Sequence, residues 1–325
     1  MLLHLRLTVP DDLTARVSDL LIRHDCTTNV TVQPGVVSKP EGDLVECDVA
    51  REEAGALLRM LEDLELDHRG GILIETPTGT PFREARRLER LAPGHPDDAV
   101  IWDAVEATAY AGAVATVSYL IFLVLAVILA AIAVLTDSAV LVVGAMVVGP
   151  EFAAVAAASA GIVLGRWGLV GRSIRLLVLS FAFAVTVVTV LALLCGALGW
   201  ITPEMITQPR PNTGFIWHPD KWSFIVALVA GAAGALALAI QKTATMVGVF
   251  ISVTTVPAAG NLALGLAVGN PDEISGSLAQ LGINIVGMII SGTLLLLFVR
   301  TSWPWITTHT ERWLGLRPWK LREES

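Results

Sequence analysis

The chain has 325 residues, of which 54% are apolar and only 16% charged, against about 45–50% and about 25% in an average globular chain, which excludes an ordinary soluble protein. Residues 1–80 hold 7 Lys/Arg and 15 Asp/Glu, whereas residues 81–325 hold 15 of each. An acidic soluble head therefore precedes an electrically balanced, lipid-embedded body, and a head this anionic disfavours nucleic acid as a partner.

In the head, Leu3, Leu5, Leu7 and Val9 alternate at the period of a half-buried strand. Pro10-Asp11-Asp12 then initiates a helix whose Leu13, Val17, Leu20 and Leu21 recur at helical spacing. Residues 28–37 and 43–49 are two further strands around a Pro/Gly/Lys turn, residues 51–66 form a second amphipathic helix, and Ile72-Leu73-Ile74 is a last strand. The order βαββαβ is the ferredoxin-like plan, shared by modules that sense small molecules and by modules that only dimerise. Cys26 and Cys47 have no CxxC or Cys/His spacing and the six histidines are scattered, so no metal, cofactor or disulfide framework is expected. The first apolar stretch is short and alternating, unlike a signal peptide.

Residues 81–98 carry Arg83, Arg86, Arg87 and Arg90 in a Pro-punctuated stretch, a juxtamembrane basic segment suited to anionic lipid. Residues 97–112 then form a short amphipathic helix with Trp102 near the interface.

A spanning helix needs about 20 apolar residues, and six segments qualify: 114–135, 138–164, 173–199, 222–240, 246–268 and 277–299. All nine Trp fall outside or at the ends of these spans, as in an aromatic belt. Lys and Arg concentrate on the side of the N-terminus, at Arg166, Arg172, Lys242, Arg300 and the C-terminal tail, against Arg210 and Lys221 opposite. The positive-inside rule therefore places both termini in the cytoplasm of a multi-pass protein of the cell (inner) membrane.

The spans repeat at an offset of 104 residues: Gly144, Gly161 and Gly165 recur as Gly248, Gly265 and Gly269, and Ser173 as Ser277. An odd number of spans per unit makes this a 3+3 inverted repeat, of about residues 113–205 and 217–309. Spans 2 and 5 are the broken ones, with Gly149-Pro150 midway along the first and Pro257 near the middle of the second. Proline removes an amide donor and clashes with the preceding turn, and paired breaks in two halves point to a midplane binding site. Glu151 is the only carboxylate within the spans. It should face the bundle interior or a wet cavity, either as a cation or proton ligand or as a carboxyl that locks the break. Thr254, Thr255, Asn261, Asn284 and Ser252 are further polar groups at depth, equally suited to joining helices. Gln241-Lys242-Thr243 at the end of span 4 offers a cation, and the Pro-rich loop 200–221 a cap over an entrance.

The segments VGAMVVGPEF (143–152), AGAAGALALAIQKTATMVGVFISVTTVP (230–257) and NIVGMIISG (284–292) resemble the hydrophobic membrane family known as domain of unknown function 389, over about residues 100–300. The resemblance implies a ferredoxin-like head on a membrane body and places Gly144, Ala145, Met146 and Pro150 in one signature and Gly248, Pro257 and Asn284 in later ones. The family pattern has Ser-Pro and an apolar residue where this chain has Gly149-Pro150-Glu151, so it implies no role for Glu151.

These readings divide the chain into a cytoplasmic head (1–80), a basic linker and amphipathic helix (81–112), a six-span domain (113–300) and a cytoplasmic tail (301–325). No nucleophile with a base, HExxH, paired carboxylates or phosphate loop argues for an enzyme. The expectation is a transporter or channel for an ion or small polar solute, likened to inverted-repeat carriers, with a substrate site at Gly149, Pro150, Glu151, Thr254, Thr255, Pro257, Asn261 and Asn284. The alternative is a membrane-anchored sensor or scaffold whose head binds a ligand or partner. Homo-oligomerisation is expected, because ferredoxin-like sheets pair and the Gly-rich faces exceed what six helices need to pack.

Overall fold

The alternating leucines of the N-terminus form β1 (Leu2–Val9), with Leu3, Leu5, Leu7 and Val9 buried and Arg6 exposed. α1 (Asp11–Arg23), β2 (Thr27–Ser38), β3 (Glu41–Ala50), α2 (Arg51–Glu62), α3 (Leu66–Arg69) and β4 (Gly71–Glu75) follow. The four strands make an antiparallel sheet in the order β2-β3-β1-β4, with Leu5 opposite Cys47 on one side and Ile74 on the other. This is the strand order that a βαββαβ chain adopts when each helix crosses between two parallel strands that a third, antiparallel strand separates. Leu13, Val17 and Leu21 of α1 and Ala54, Leu57, Leu58 and Leu61 of α2 are the buried faces, at the 3.6-residue period that faces a helix onto a sheet. The basic stretch after β4 is helical as well: in α4 (Arg83–Leu91), Ala85 and Leu88 pack against Leu2, Cys26 and Ala50. Its four arginines stay on the less buried side of the helix.

The structure, a computed structural model, describes residues 2–92, 99–241 and 254–313. The chain divides into two units, Met1–Asp103 with Thr301–Ser325, and Ala104–Arg300. The second unit is helical. It contains α5 (Trp102–Gly112, from its third residue), α6 (Val117–Leu135), α7 (Ala139–Val148), α8 (Glu151–Val163), α9 (Trp167–Ala197), α10 (Pro203–Thr207), α11 (Lys221–Ala239), α12 (Thr255–Val268) and α13 (Pro271–Trp313) up to Arg300.

Four helices, α6, α9, α11 and residues 271–302 of α13, are long and apolar enough to cross a membrane. α7 and α8 make a fifth candidate span, bent by 55° at Gly149-Pro150. The expected span 246–268 is described only as the 14 residues of α12, and Lys242, Thr243, Gly248 and Ser252 lie outside the described residues. The structure thus has four or five candidate spans among the described residues where the sequence suggests six.

Small residues are prominent on the buried side: Ala126, Ala130 and Ala133 of α6 are buried, with Leu123 and Val127, while Ile121, Phe122 and Leu125 are exposed. Helices embedded in lipid pack this way, because lipid is as good a neighbour for Leu or Phe as another helix, and only close backbone approach favours association. The two short helices are the most enclosed, with 11 of 13 residues buried in α8 and 11 of 14 in α12. Gly260 lets α12 touch α6, since a Cβ there would lie 2.7 Å from Ala130 Cβ.

Helix boundaries recur 104 residues apart. α6 and α11 agree in this way at both ends, α8 and α12 at their first residues, and α9 and α13 at theirs. The left-handed residues between them follow the same register, Asp137 (φ 46°) with Gln241 (φ 58°) and Gly165 (φ 70°) with Gly269 (φ 73°).

Candidate functional site

Gly149 and Pro150 end α7, because proline has no amide to donate to the preceding turn, and Glu151 opens α8 immediately after them. α12 opens with Thr255. Pro257, expected to break a span at its middle, is instead the third residue of α12. In a first turn the missing amide is unpaired in any helix and the fixed φ suits the start, so this proline begins a helix rather than bending one.

The two starts meet. The Thr255 hydroxyl donates to Glu151 Oε1 at 2.6 Å, with both residues buried. Each helix N-terminus exposes unpaired amides and a partial positive charge, so a carboxylate between two of them is favourably placed. Glu151 Oε2 is buried and has no hydrogen-bond partner among the described residues. Gly149 sits against that oxygen and Val256, leaving no space for a side chain.

One residue before Thr255, the hydroxyl of Thr254 accepts two amide donors, Gln280 Nε2 at 2.8 Å and Asn284 Nδ2 at 2.9 Å. Gln280 and Asn284 are four residues apart on α13 and so lie on one face. Gln280 Oε1 is likewise buried without a partner among the described residues. Buried polar atoms are nearly always satisfied, so each of these oxygens calls for a water, an ion, strain or a functional role to account for it. Seven of the eight residues singled out in the sequence, Gly149, Pro150, Glu151, Thr254, Thr255, Pro257 and Asn284, are thereby brought to the two helix starts or bonded to them.

Asn261 is engaged elsewhere. Its Oδ1 accepts from Arg210 Nη1 at 2.7 Å, and its Nδ2 donates to Glu273 Oε2 at 2.5 Å and to Ser277 Oγ at 2.8 Å. Arg210 and Glu273 form an ion pair with side chains 2% and 3% exposed. Asn261 therefore closes a buried clamp that ties the loop after α10 to α12 and α13, rather than offering a free ligand amide. A second tie holds the same loop, where Thr213 Oγ1 and Asn212 Nδ2 donate to Asp137 at 2.8 and 3.0 Å. Sequence reading missed Arg210, Glu273 and Gln280, counting the first as an ordinary loop charge. The usable signal was the spacing of Glu273, Ser277, Gln280 and Asn284, which at intervals of three and four places them on one helical stripe.

Among the described residues no cluster of three His, Cys, Asp or Glu could hold a metal ion. In the first unit a surface cavity of about 710 Å³ opens beside α1 and α2, lined by Arg16, Arg23, Asp25, Cys26, Glu53 and Met60.

Residues 146–290 match the family described as domain of unknown function (DUF389), the one the sequence resembles. An uncharacterized protein of Methanocaldococcus jannaschii is 24% identical over 176 residues, which is 54% of this chain and 52% of that protein. The chain thus spans about half the length of the curated relative it matches. No solved structure matches significantly.

Proposed function

We propose that this chain is a membrane transporter or channel for an ion or small polar solute, with its site where α8 and α12 begin. The observation that carries this is the contact of Glu151 with Thr255 among buried residues, with a carboxylate oxygen that no described residue partners. A buried acceptor without a donor offers its lone pairs to a proton or a cation. Thr254, Gln280 and Asn284 add neutral oxygens and amides one residue away. Non-helical backbone at membrane depth is tolerated only where it is enclosed by protein or lines a polar cavity, and the enclosure of α8 and α12 fits that condition.

The architecture that accompanies this reading is a 3+3 inverted repeat of six spans. The recurrence of helix ends and left-handed residues at 104 supports it. Glu151 and Thr255 are themselves 104 apart, so in such a repeat they are equivalent positions, and their contact supports a site at the meeting of the two halves, where inverted-repeat carriers bind substrate. Both termini lie in the cytoplasm of the cell membrane, and the chain assembles as a homo-oligomer.

The cavity beside α1 and α2 favours a second reading, in which the head senses a ligand and the spans anchor it. Purified protein in sealed liposomes, tested for proton and monovalent-cation flux, separates the two. Glu151→Gln should abolish flux while the protein still elutes as a folded oligomer, and removal of residues 1–80 should leave flux intact. Unchanged flux in the Glu151→Gln protein refutes the site. No flux in wild type, with ligand binding by the head, moves the function to the sensor.

A further inference from the structure

We infer that the groove between the start of α6 and the flank of α9 is a binding site for one anionic phospholipid. The groove encloses about 550 Å³ and is lined by Ala113, Arg172, Arg175, Leu176, Leu179 and Phe183 among others. Its charge is one-sided. Arg172 and Arg175 are exposed at one end, and neither has an ion pair or hydrogen bond among the described residues. From Leu176 to Ala197 the helix then carries no charged residue.

The two arginines lie three positions apart and so share a helix face. Together they offer forked donors matched to a phosphodiester, which arginine binds in bidentate fashion. Below them Leu176, Leu179 and Phe183 continue the same stripe. From Arg172 to Phe183 the helix rises about 16 Å, long enough to lie along most of an acyl chain whose headgroup sits on the guanidiniums. An apolar peptide would not need the paired cations, and a free anion would not need the apolar wall.

The second half of the unit shows what the same place looks like when the protein fills it. At the displacement of 104 residues, Ala113 corresponds to Trp217, Leu120 to Phe224, Arg172 to Gly276 and Phe183 to Gly287. There Trp217 packs onto Gly276, with its ring 3.2 Å from where a Cβ would stand, and Phe224 covers Gly287 at 3.5 Å. The Trp217 carbonyl and Ala227 lie closer still, so backbone and side chains together cover both glycines. In the first half the sizes are reversed, the loop contributing Ala113 and the helix two arginines, and the groove stays open. The comparison uses the 104-residue register on which the repeat reading also rests, but the arginines and the groove stand without it.

The test is lipid retention, a readout independent of any flux. The full-length protein is purified in mild detergent, delipidated, and titrated with phosphatidylglycerol or phosphatidylcholine while bound lipid is counted by native mass spectrometry. Phosphatidylglycerol should bind at one per chain in preference to phosphatidylcholine, and inorganic phosphate should not displace it. The Arg172→Gln/Arg175→Gln protein should bind about 30-fold more weakly, as expected for the loss of two cations near a headgroup. Leu179→Trp, which narrows the groove at an exposed position without altering charge, should also weaken retention. Equal binding of both lipids, full retention by the double variant, or displacement by phosphate alone each overturns the proposal, the last by reducing the site to a headgroup-sized anion contact.

Discussion

Glu273→Gln is the sharpest test of the buried clamp. In the folded protein the Arg210 guanidinium touches Glu273 and Asn261, with side-chain exposures of 2% and 3% for the ion pair. An amide in place of the carboxylate keeps the shape of the side chain but removes the negative charge paired with this buried cation. Stranding one charge of a buried pair costs about 3–5 kcal/mol, because desolvation is no longer offset. Replacing both partners, as in Arg210→Met/Glu273→Leu, removes the charge together with its partner and leaves the buried Asn261 oxygen stranded, so it should cost about 1–3 kcal/mol rather than the sum of the two single replacements. The double-mutant cycle should therefore give a coupling energy of about 3 kcal/mol or more. Reversible unfolding of the full chain in mixed micelles by sodium dodecyl sulfate, with all four proteins in one lipid mixture, measures it. A cost below about 1 kcal/mol for Glu273→Gln is the value of a solvated pair. That result would mean that water reaches Arg210 and that the loop is not clamped.

Three further outcomes concern the same clamp and the head, and a fourth the helix packing. Asn261→Ala removes bonds to Arg210, Glu273 and Ser277, so at about 1–3 kcal/mol for each buried group stranded it should lower stability strongly; lost solute affinity at unchanged stability would return Asn261 to the ligands. In the head, the Thr14 hydroxyl and the Gly35 amide hold the Asp43 carboxyl below its usual range. Its contribution to stability is then complete above the unfolded value of about 3.9 and is lost as pH falls through the lower folded value. The protection factor of the Gly35 amide should drop over that acid window, earlier in Thr14→Val, and a flat profile would contradict the assignment. Burial pushes the Cys47 thiol up to about 12 and raises Cys26 as well, so iodoacetamide near neutral pH should modify neither until the head unfolds; rapid labelling of native Cys47 would show an open core. Gly260→Ala places a methyl 2.7 Å from Ala130 Cβ and should cost about 1–3 kcal/mol by prising α12 from α6, measurable in the same micelle titration.

Much of the candidate site was legible because its parts are local. Gly149-Pro150 must interrupt an apolar helix for reasons contained in the proline ring, and a carboxylate next to that break cannot face lipid. The place of Pro257 was less legible: it is the third residue of the helix that starts at Thr255. Proline is compatible both with a bend and with a first turn, and the choice depends on where the helix starts, here Thr255. Asn261 looked like Asn284 in the sequence, yet one is held by an arginine that lies 51 residues away and the other by Thr254.

The sequence by itself determined the properties that depend on composition and short-range periodicity: an acidic head with alternating strands, a body too apolar for water, and the places where helices must stop. These follow from side-chain transfer energies and backbone sterics, which act on residues a few positions apart. Tertiary structure alone decided partnership. Which oxygen Thr255 reaches, that Gln280 and Glu151 each keep an oxygen unpaired among the described residues, that Arg210 is buried, and that Trp217 lies against Gly276 while a groove lies open beside Arg172 and Arg175 are all products of helices meeting across long separations. Such contacts are set by the packing of whole faces, and no window of neighbouring residues contains that information.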